Sequence, residues 1–131
     1  MEDNSKVFDV MMPNFKTIDG VTRVSELLVM MRDEKINAAL IKPRDQEGSV
    51  YGIVTLKDIA RKVIALRRRL NETHVYEIMS KPVLSVAYNM PVPYAARLLT
   101  NFNVSYAMVM KNDDVVGMVS LNGMVTQWKG D

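Results

Sequence analysis

The pentapeptide VFDVM at 7–11 returns as VYEIM at 75–79, identical or chemically similar at every position, at an offset of 68 residues. The same shift aligns Thr17 and Ile18 with Ser85 and Val86, and Ile36 and Asn37 with Val104 and Ser105. Further along the offset falls to 65, where GIVTLKDI at 52–59 is echoed by GMVSLNGM at 117–124. The difference is absorbed by KPRDQEGSVYG (42–52), which is longer than its counterpart KNDDVVG (111–117). Length variation between copies belongs in a turn joining two strands. A chain that states one phrase twice is built from two copies of one supersecondary unit, and that constrains every later assignment.

Each copy carries the same periodicities. Val24, Leu27, Leu28 and Met31 recur at helical spacing, as do Val92, Ala95, Leu99 and Phe102. Pro91 and Pro93 open the second of these helices, where no intrahelical N–H is yet required. AALIK and VYGIVT in one copy, YAMVM and VVGMVS in the other, read as strand pairs joined by polar turns. Each copy closes on a second amphipathic helix, expected over 56–70 and about 121–128. The order is therefore strand, helix, strand, strand, helix, twice over, an α+β arrangement with units at 7–70 and 71–128. A unit of about 60 residues buries little core by itself. Two of them packed sheet to sheet, related by a pseudo-two-fold axis, would shield each other. The eleven methionines suit such a core as deformable filler.

The totals narrow the chemistry. With 131 residues, 48% of them hydrophobic and 24% charged, the chain has the make-up of a folded domain. No apolar run approaches the ~18 residues a membrane span needs. MEDNSKVFDVMMP begins acidic and lacks a basic region ahead of an apolar one, so no signal peptide is read and a cytoplasmic location is expected. Cysteine is absent, which removes disulfides, thiolate catalysis and thiolate-bound metals. The single histidine, His74, is expected as a solvated linker residue. The acid pairs Asp45/Glu47 and Asp113/Asp114 fall in polar turns as solvated charge, so neither a catalytic nor a metal site is expected. Net charge is only +2, yet Lys57, Arg61, Lys62, Arg67, Arg68 and Arg69 gather on one segment. They are not interleaved with aromatic residues, so nucleic-acid binding is not expected. The run reads as a solvated face or a helix C-terminal cation cluster, and an acidic partner stays open as an alternative.

Two β-α-β-β-α units, each with a hydrophobic-x-x-Val/Ile-Met start and a Gly-hydrophobic-x-Thr/Ser close that the first extends to x-x-Asp, resemble a pair of CBS domains, the Bateman module. The resemblance runs from about Val7 to Gln127 and leaves no room for a catalytic domain. It implies a regulatory sensor, not an enzyme, that binds AMP, ADP, ATP or S-adenosylmethionine in clefts between paired units. It requires no permanent cofactor, and it implies a homodimer, assembled through helices such as 92–102, that signals to an unidentified partner protein.

The closing motif can be read physically. Gly52 lets a neighbouring group approach the strand. Thr55 stands where strand gives way to helix, and Asp58, three residues on, lies beside the unpaired N–H groups of the helix start. A carboxylate there can accept hydrogen bonds from the two hydroxyls of a ribose, with Lys57 or Arg61 one turn away for phosphate. Ser/Thr-x-x-Asp/Glu is equally the signature of a capping box that needs no ligand, and both readings stand at this point. The resemblance implies that adenine would lie against Thr17 and Ile18 and the strand backbone at Asn37, Ala38 and Ala39. In the second copy Ser85, Val86, Tyr106, Ala107 and Ser120 hold the matching positions. There Gly123 replaces the carboxylate, which removes roughly 1.5–3 kcal/mol of charge-assisted hydrogen bonding, and Tyr106 crowds the place of Ala38. The second site is expected to be weak. A structural dimerisation module with a vestigial site is the competing reading.

Overall fold

A computed structural model describes residues 4–44 and 50–130 of the chain; Asp45 and Glu47 lie outside the described residues. In chain order the elements are α1 (Val7–Val10), β1 (Thr17–Ile18), α2 (Val24–Glu34), β2 (Ala38–Ile41), β3 (Gly52–Thr55) and α3 (Leu56–Ile59), which runs on as a wide π-helical turn over Ala60–Ile64. Short 3-10 turns follow at Leu70–Glu72 and Val75–Glu77. Next come β4 (Ser85–Ala87), α4 (Val92–Asn101), β5 (Tyr106–Lys111), β6 (Asp114–Ser120) and α5 (Leu121–Thr126). The expected order of elements is present in both copies.

They form two three-stranded sheets of one topology, β1-β2-β3 and β4-β5-β6. In each, the first strand runs parallel to the second and the second antiparallel to the third. A bulge between Val109 and Met110 shifts the register of the second hairpin.

Each first helix turns one stripe inward. α2 buries Val24, Leu27 and Met31 and ends at Lys35, whose φ of 56° is left-handed. α4 takes Pro91 as its N-cap and buries Val92, Ala95 and Leu99. Phe102, expected on that stripe, is 62% exposed. The helix has unwound to its C-cap at that residue, so the 3.6-residue period no longer carries the side chain inward.

The closing helices are shorter than expected. Helical structure ends near Ile64 instead of reaching 70, because Arg67 takes φ 57°. The Arg67 N–H bonds to Ile64 O and the Arg68 N–H to Val63 O, a Schellman closure that satisfies the last carbonyls. α5 stops at Thr126 instead of 128.

Packing divides the chain into two compact units, Lys16–Val83 and the segment up to Phe15 together with the chain from Leu84. The core of the first joins Val24, Leu27, Met31, Ala39, Ile41, Val54, Ile59 and Val63 to Val75 and Ile78. The core of the second joins Val86, Val92, Ala95, Leu99, Val109, Val119 and Met124 to Val7 and Val10. Each unit is thus completed by the lead pentapeptide of the other copy. VYEIM fills the unit built from the first copy, and VFDVM fills the unit built from the second. Full burial of an aliphatic side chain such as Ile78 contributes roughly 1.5–3 kcal/mol, so the exchange is a substantial part of each core.

The glycines of the repeated phrase make this docking possible. A Cβ on Gly52 would stand 2.9 Å from Met79 Sδ and 3.3 Å from Ser80 O; on Gly117 it would stand 2.9 Å from Met11 Sδ and 3.1 Å from Met12 O. Backbone bonds pair Ile53 with Ser80 and Met118 with Met12 beside them. The group that Gly52 admits is a methionine of the other copy's lead segment.

Candidate functional site

Thr55 leaves β3 and becomes the N-cap of α3 with extended backbone, while Ile59, one turn on, is anchored in the core. Its Oγ1 accepts from the Asp58 N–H at 3.2 Å. In return Asp58 Oδ2 accepts from the Thr55 N–H at 2.9 Å and from the Thr55 hydroxyl at 3.1 Å. The capping reading is therefore realised in full. The other oxygen, Oδ1, stands 3.6 Å from Lys62 Nζ, and the Asp58 side chain is 17% exposed. A carboxylate offers about four lone-pair positions. Oδ2 spends two on the cap, so Oδ1 is the acceptor left for a ligand hydroxyl.

The other expected residues of the first site fall around this carboxylate unevenly. Ala38 lies directly across from Thr55 in the β2–β3 ladder. Asn37 precedes it, exposed, and its carbonyl accepts from the Leu56 N–H at 3.0 Å. Asn37, Ala38, Thr55 and Asp58 are thus gathered at one end of the hairpin. Thr17 and Ile18 are half-buried on β1, opposite Leu40 and Ile41. Ala39 is fully buried in the core, where tight strand packing explains its size, and it has only backbone to offer a ligand. Lys57 and Arg61 are exposed, and among the described residues neither has an ion-pair partner.

Beside this group lies an open hollow of about 270 Å³, lined by Met31, Arg32, Lys35, Ile36, Asn37 and Leu56. Of these only Asn37 was expected at the site. Arg32 and Lys35 sit at the end of α2, where cations complement the helix dipole, so nothing in the sequence singled them out. Lys62 was counted with the basic run; its spacing of four from Asp58 was the signal that set it apart.

In the second unit Ser120 caps α5 and accepts from the Gly123 N–H at 2.9 Å, with no carboxylate to answer it. Tyr106 faces Ser120 across the ladder and is half-buried, Ser85 is exposed, and Val86 and Ala107 belong to the core.

His74 is not a solvated linker. It is half-buried and starts the Val75–Glu77 turn, donating its N–H to Glu77 Oε2 at 2.7 Å, and its ring stacks on Tyr76. That backbone hydrogen bond is the first cause holding the Glu77 carboxyl below the usual range; burial opposes it, and the Arg68 guanidinium at 2.6 Å adds to it. The arginine run is consequently not one open basic face, since Arg68 is tied to Glu77 and Arg69 lies 4.0 Å from Glu72. Asp113 and Asp114 are exposed at the β5–β6 turn. Among the described residues no group of three or more His, Asp and Glu could hold a metal ion, and no helix is long and apolar enough to cross a membrane.

Twin β-α-β-β-α units with capped closing helices and exchanged lead segments define a tandem-repeat module. The family model of the CBS domain matches residues 7–65 and again 75–127, and the chain belongs to the CBS domain family. Proteins built on such pairs are regulatory ligand-binding modules. The CBS domain-containing protein CBSX3, mitochondrial, of Arabidopsis thaliana is 27% identical over 132 residues, covering 94% of this chain and 64% of the plant protein. The chain thus spans less than two thirds of that relative. The hexameric CBS-CP12 protein from bloom-forming cyanobacteria superposes with a TM-score of 0.88 at 30% identity, covering 94% of this chain and 70% of that one. A CBS domain protein of Pyrobaculum aerophilum complexed with AMP superposes with a TM-score of 0.78 at 20% identity, over 92% and 90% of the two chains, which is likeness of fold alone.

Proposed function

We propose that the chain is a regulatory sensor that binds an adenosine-containing ligand, AMP, ADP, ATP or S-adenosylmethionine, at the first unit and reports occupancy to a partner protein. The observation that carries this reading is the Asp58 carboxylate. It is set by Thr55 beside Ala38 and Asn37, with Oδ1 left over after the cap is made. The AMP complex of the Pyrobaculum protein supports the choice of ligand class. Thr17, Ile18, Asn37, Ala38 and the Ala39 backbone would take the base, Thr55 and Asp58 the ribose, Lys57 and Arg61 the phosphate. The second unit, lacking the carboxylate, binds weakly. The chain acts by binding and not by catalysis, in the cytoplasm and as a homodimer. Ligand shifts the assembly between states only by its difference in affinity for them.

Calorimetric titration with the four ligands tests the proposal. Heat from one of them that disappears in Asp58→Ala supports it; silence from all four defeats it. The reciprocal Thr55–Asp58 hydrogen bonds favour a second reading, in which Asp58 is a cap and nothing more and the module serves only for assembly. On that reading Asp58→Ala lowers stability and changes no binding.

A further inference from the structure

Lys62 makes two contacts inside the first unit. Its Nζ donates to Ile78 O at 2.9 Å and stands 3.6 Å from Asp58 Oδ1. The first ties α3 to the lead segment of the second copy; the second is an ion pair too long to be a hydrogen bond. The other copy separates the two roles. The position matching Lys62 is Gln127, whose Nε2 donates to Val10 O at 3.3 Å, and Val10 is the match of Ile78. The tie to the lead segment is therefore present in both units, and an uncharged amide suffices to make it. The cation occurs only where the carboxylate occurs: Asp58 has Lys62, and Gly123 has Gln127.

We propose that Lys62 is a further ligand-binding residue of the first site, and that it couples ligand at Asp58 to the segment Val75–Ser80. This rests on the reading of Asp58 as a ligand group given above. An ammonium has three N–H donors, and the Ile78 carbonyl uses one. A hydroxyl that donates to Asp58 Oδ1 can accept from a second, so carboxylate and ammonium together present the acceptor–donor pair that a hydroxylated ligand such as a ribose needs. A ligand held between them fixes Nζ, and with it the carbonyl of Ile78. That segment is already bound to the unit through the buried Val75 and Ile78 and through the Ile53–Ser80 backbone pair. Occupancy is thereby converted into firmer docking of the stretch of chain that leads into the second copy.

The test compares the wild-type chain with Lys62→Gln, which keeps the tie and loses the charge, and Lys62→Met, which loses both. Amide hydrogen exchange at Met79 and Ser80 is measured without ligand and with AMP as the probe, and AMP affinity is measured by calorimetry. Without ligand, Lys62→Gln is expected to exchange like wild type and Lys62→Met about tenfold faster. With AMP, wild type slows further, while both variants lose about tenfold in affinity and the added protection, the size expected for one hydrogen bond to a charged group. Exchange in unliganded Lys62→Met as slow as in wild type overturns the tie, whatever the ligand does. AMP affinity in Lys62→Gln equal to that of wild type overturns the ligand-binding role of Lys62. If AMP gives no heat, the same comparison is run with whichever of ADP, ATP and S-adenosylmethionine does; silence of the wild-type chain toward all four defeats the reading of Asp58 and the ligand-binding role of Lys62 with it, and the unliganded comparison still decides the tie.

Discussion

Replacing Ile78 by alanine tests the exchanged packing directly. Ile78 is 1% exposed and packs with Val24, Leu27, Met31, Ala39, Ile41, Val54, Ile59, Val63 and Val75, although in sequence it belongs to the second copy. Truncating a buried isoleucine to alanine costs about 2–5 kcal/mol, the lost transfer free energy plus the cavity left behind. If the core lies where the contacts place it, that loss falls on the β1-β2-β3 sheet. Native-state hydrogen exchange reads it through the Leu40 and Ile53 amides, bonded to Lys16 O and Ser80 O, against Met108 and Met118 in the other sheet, bonded to Leu84 O and Met12 O. At about 1.4 kcal/mol per factor of ten, Leu40 and Ile53 should exchange roughly thirty- to several-thousand-fold faster, with Met108 and Met118 much less affected. Val10→Ala, at the matching position of the other unit, should give the mirror image. Equal acceleration in both sheets, or acceleration confined to β4-β5-β6, refutes the assignment of the lead segments.

Gly52→Ala places a methyl 2.9 Å from Met79 Sδ and 3.3 Å from Ser80 O, so urea unfolding should show a loss of about 1–3 kcal/mol, part of it recovered by adding Met79→Ala. The lowered Glu77 pKa contributes stability that is complete above its ordinary value of 4.5 and is lost as pH falls through the lower folded value. Glu77→Gln should therefore flatten the fall in stability below pH 4.5, as followed by denaturation in a series of acidic buffers. Self-association through helical faces should appear in sedimentation velocity as a species heavier than the 14.9 kDa chain. Phe102→Asp and Val125→Asp, at side chains 62% and 74% exposed, should weaken it with little effect on folding.

The repeat made the topology legible before any coordinates. Two strand pairs with the same caps leave few alternatives, and the order strand, helix, strand, strand, helix is found twice. What it could not give is which lead segment packs where, because a repeat is symmetrical under exchange of its parts. VYEIM fits either core by hydrophobicity, and the burial of Val75 and Ile78, the Ile53–Ser80 backbone pair and the contact of Met79 over Gly52 decide. Helix ends were poorly legible for a local reason. Arg67 takes a left-handed conformation without the glycine that announces such a stop, and Phe102 keeps the period one residue past the point where the helix unwinds. At the site, Thr55 and Asp58 could be read from spacing. Ala39 could not be told from a pocket residue, since a small side chain suits a ligand and a packed strand equally. Lys62 stands among five other cations, distinguished in sequence only by its spacing of four from Asp58, and its bond to the Ile78 carbonyl joins residues too far apart in sequence to be read from it.

The central claim is that Asp58 holds a ligand and does not merely cap a helix, and Asp58→Asn separates the two. The amide oxygen can still accept from the Thr55 N–H, so the fold is kept while the charge is lost. Calorimetric titration of AMP into both chains, with thermal unfolding alongside, should show an AMP affinity roughly ten- to a hundredfold lower in the variant, corresponding to about 1.5–3 kcal/mol, with folding little changed. Equal affinity in the two chains, or binding that is lost only when Ser120 and Tyr106 are replaced, would contradict it.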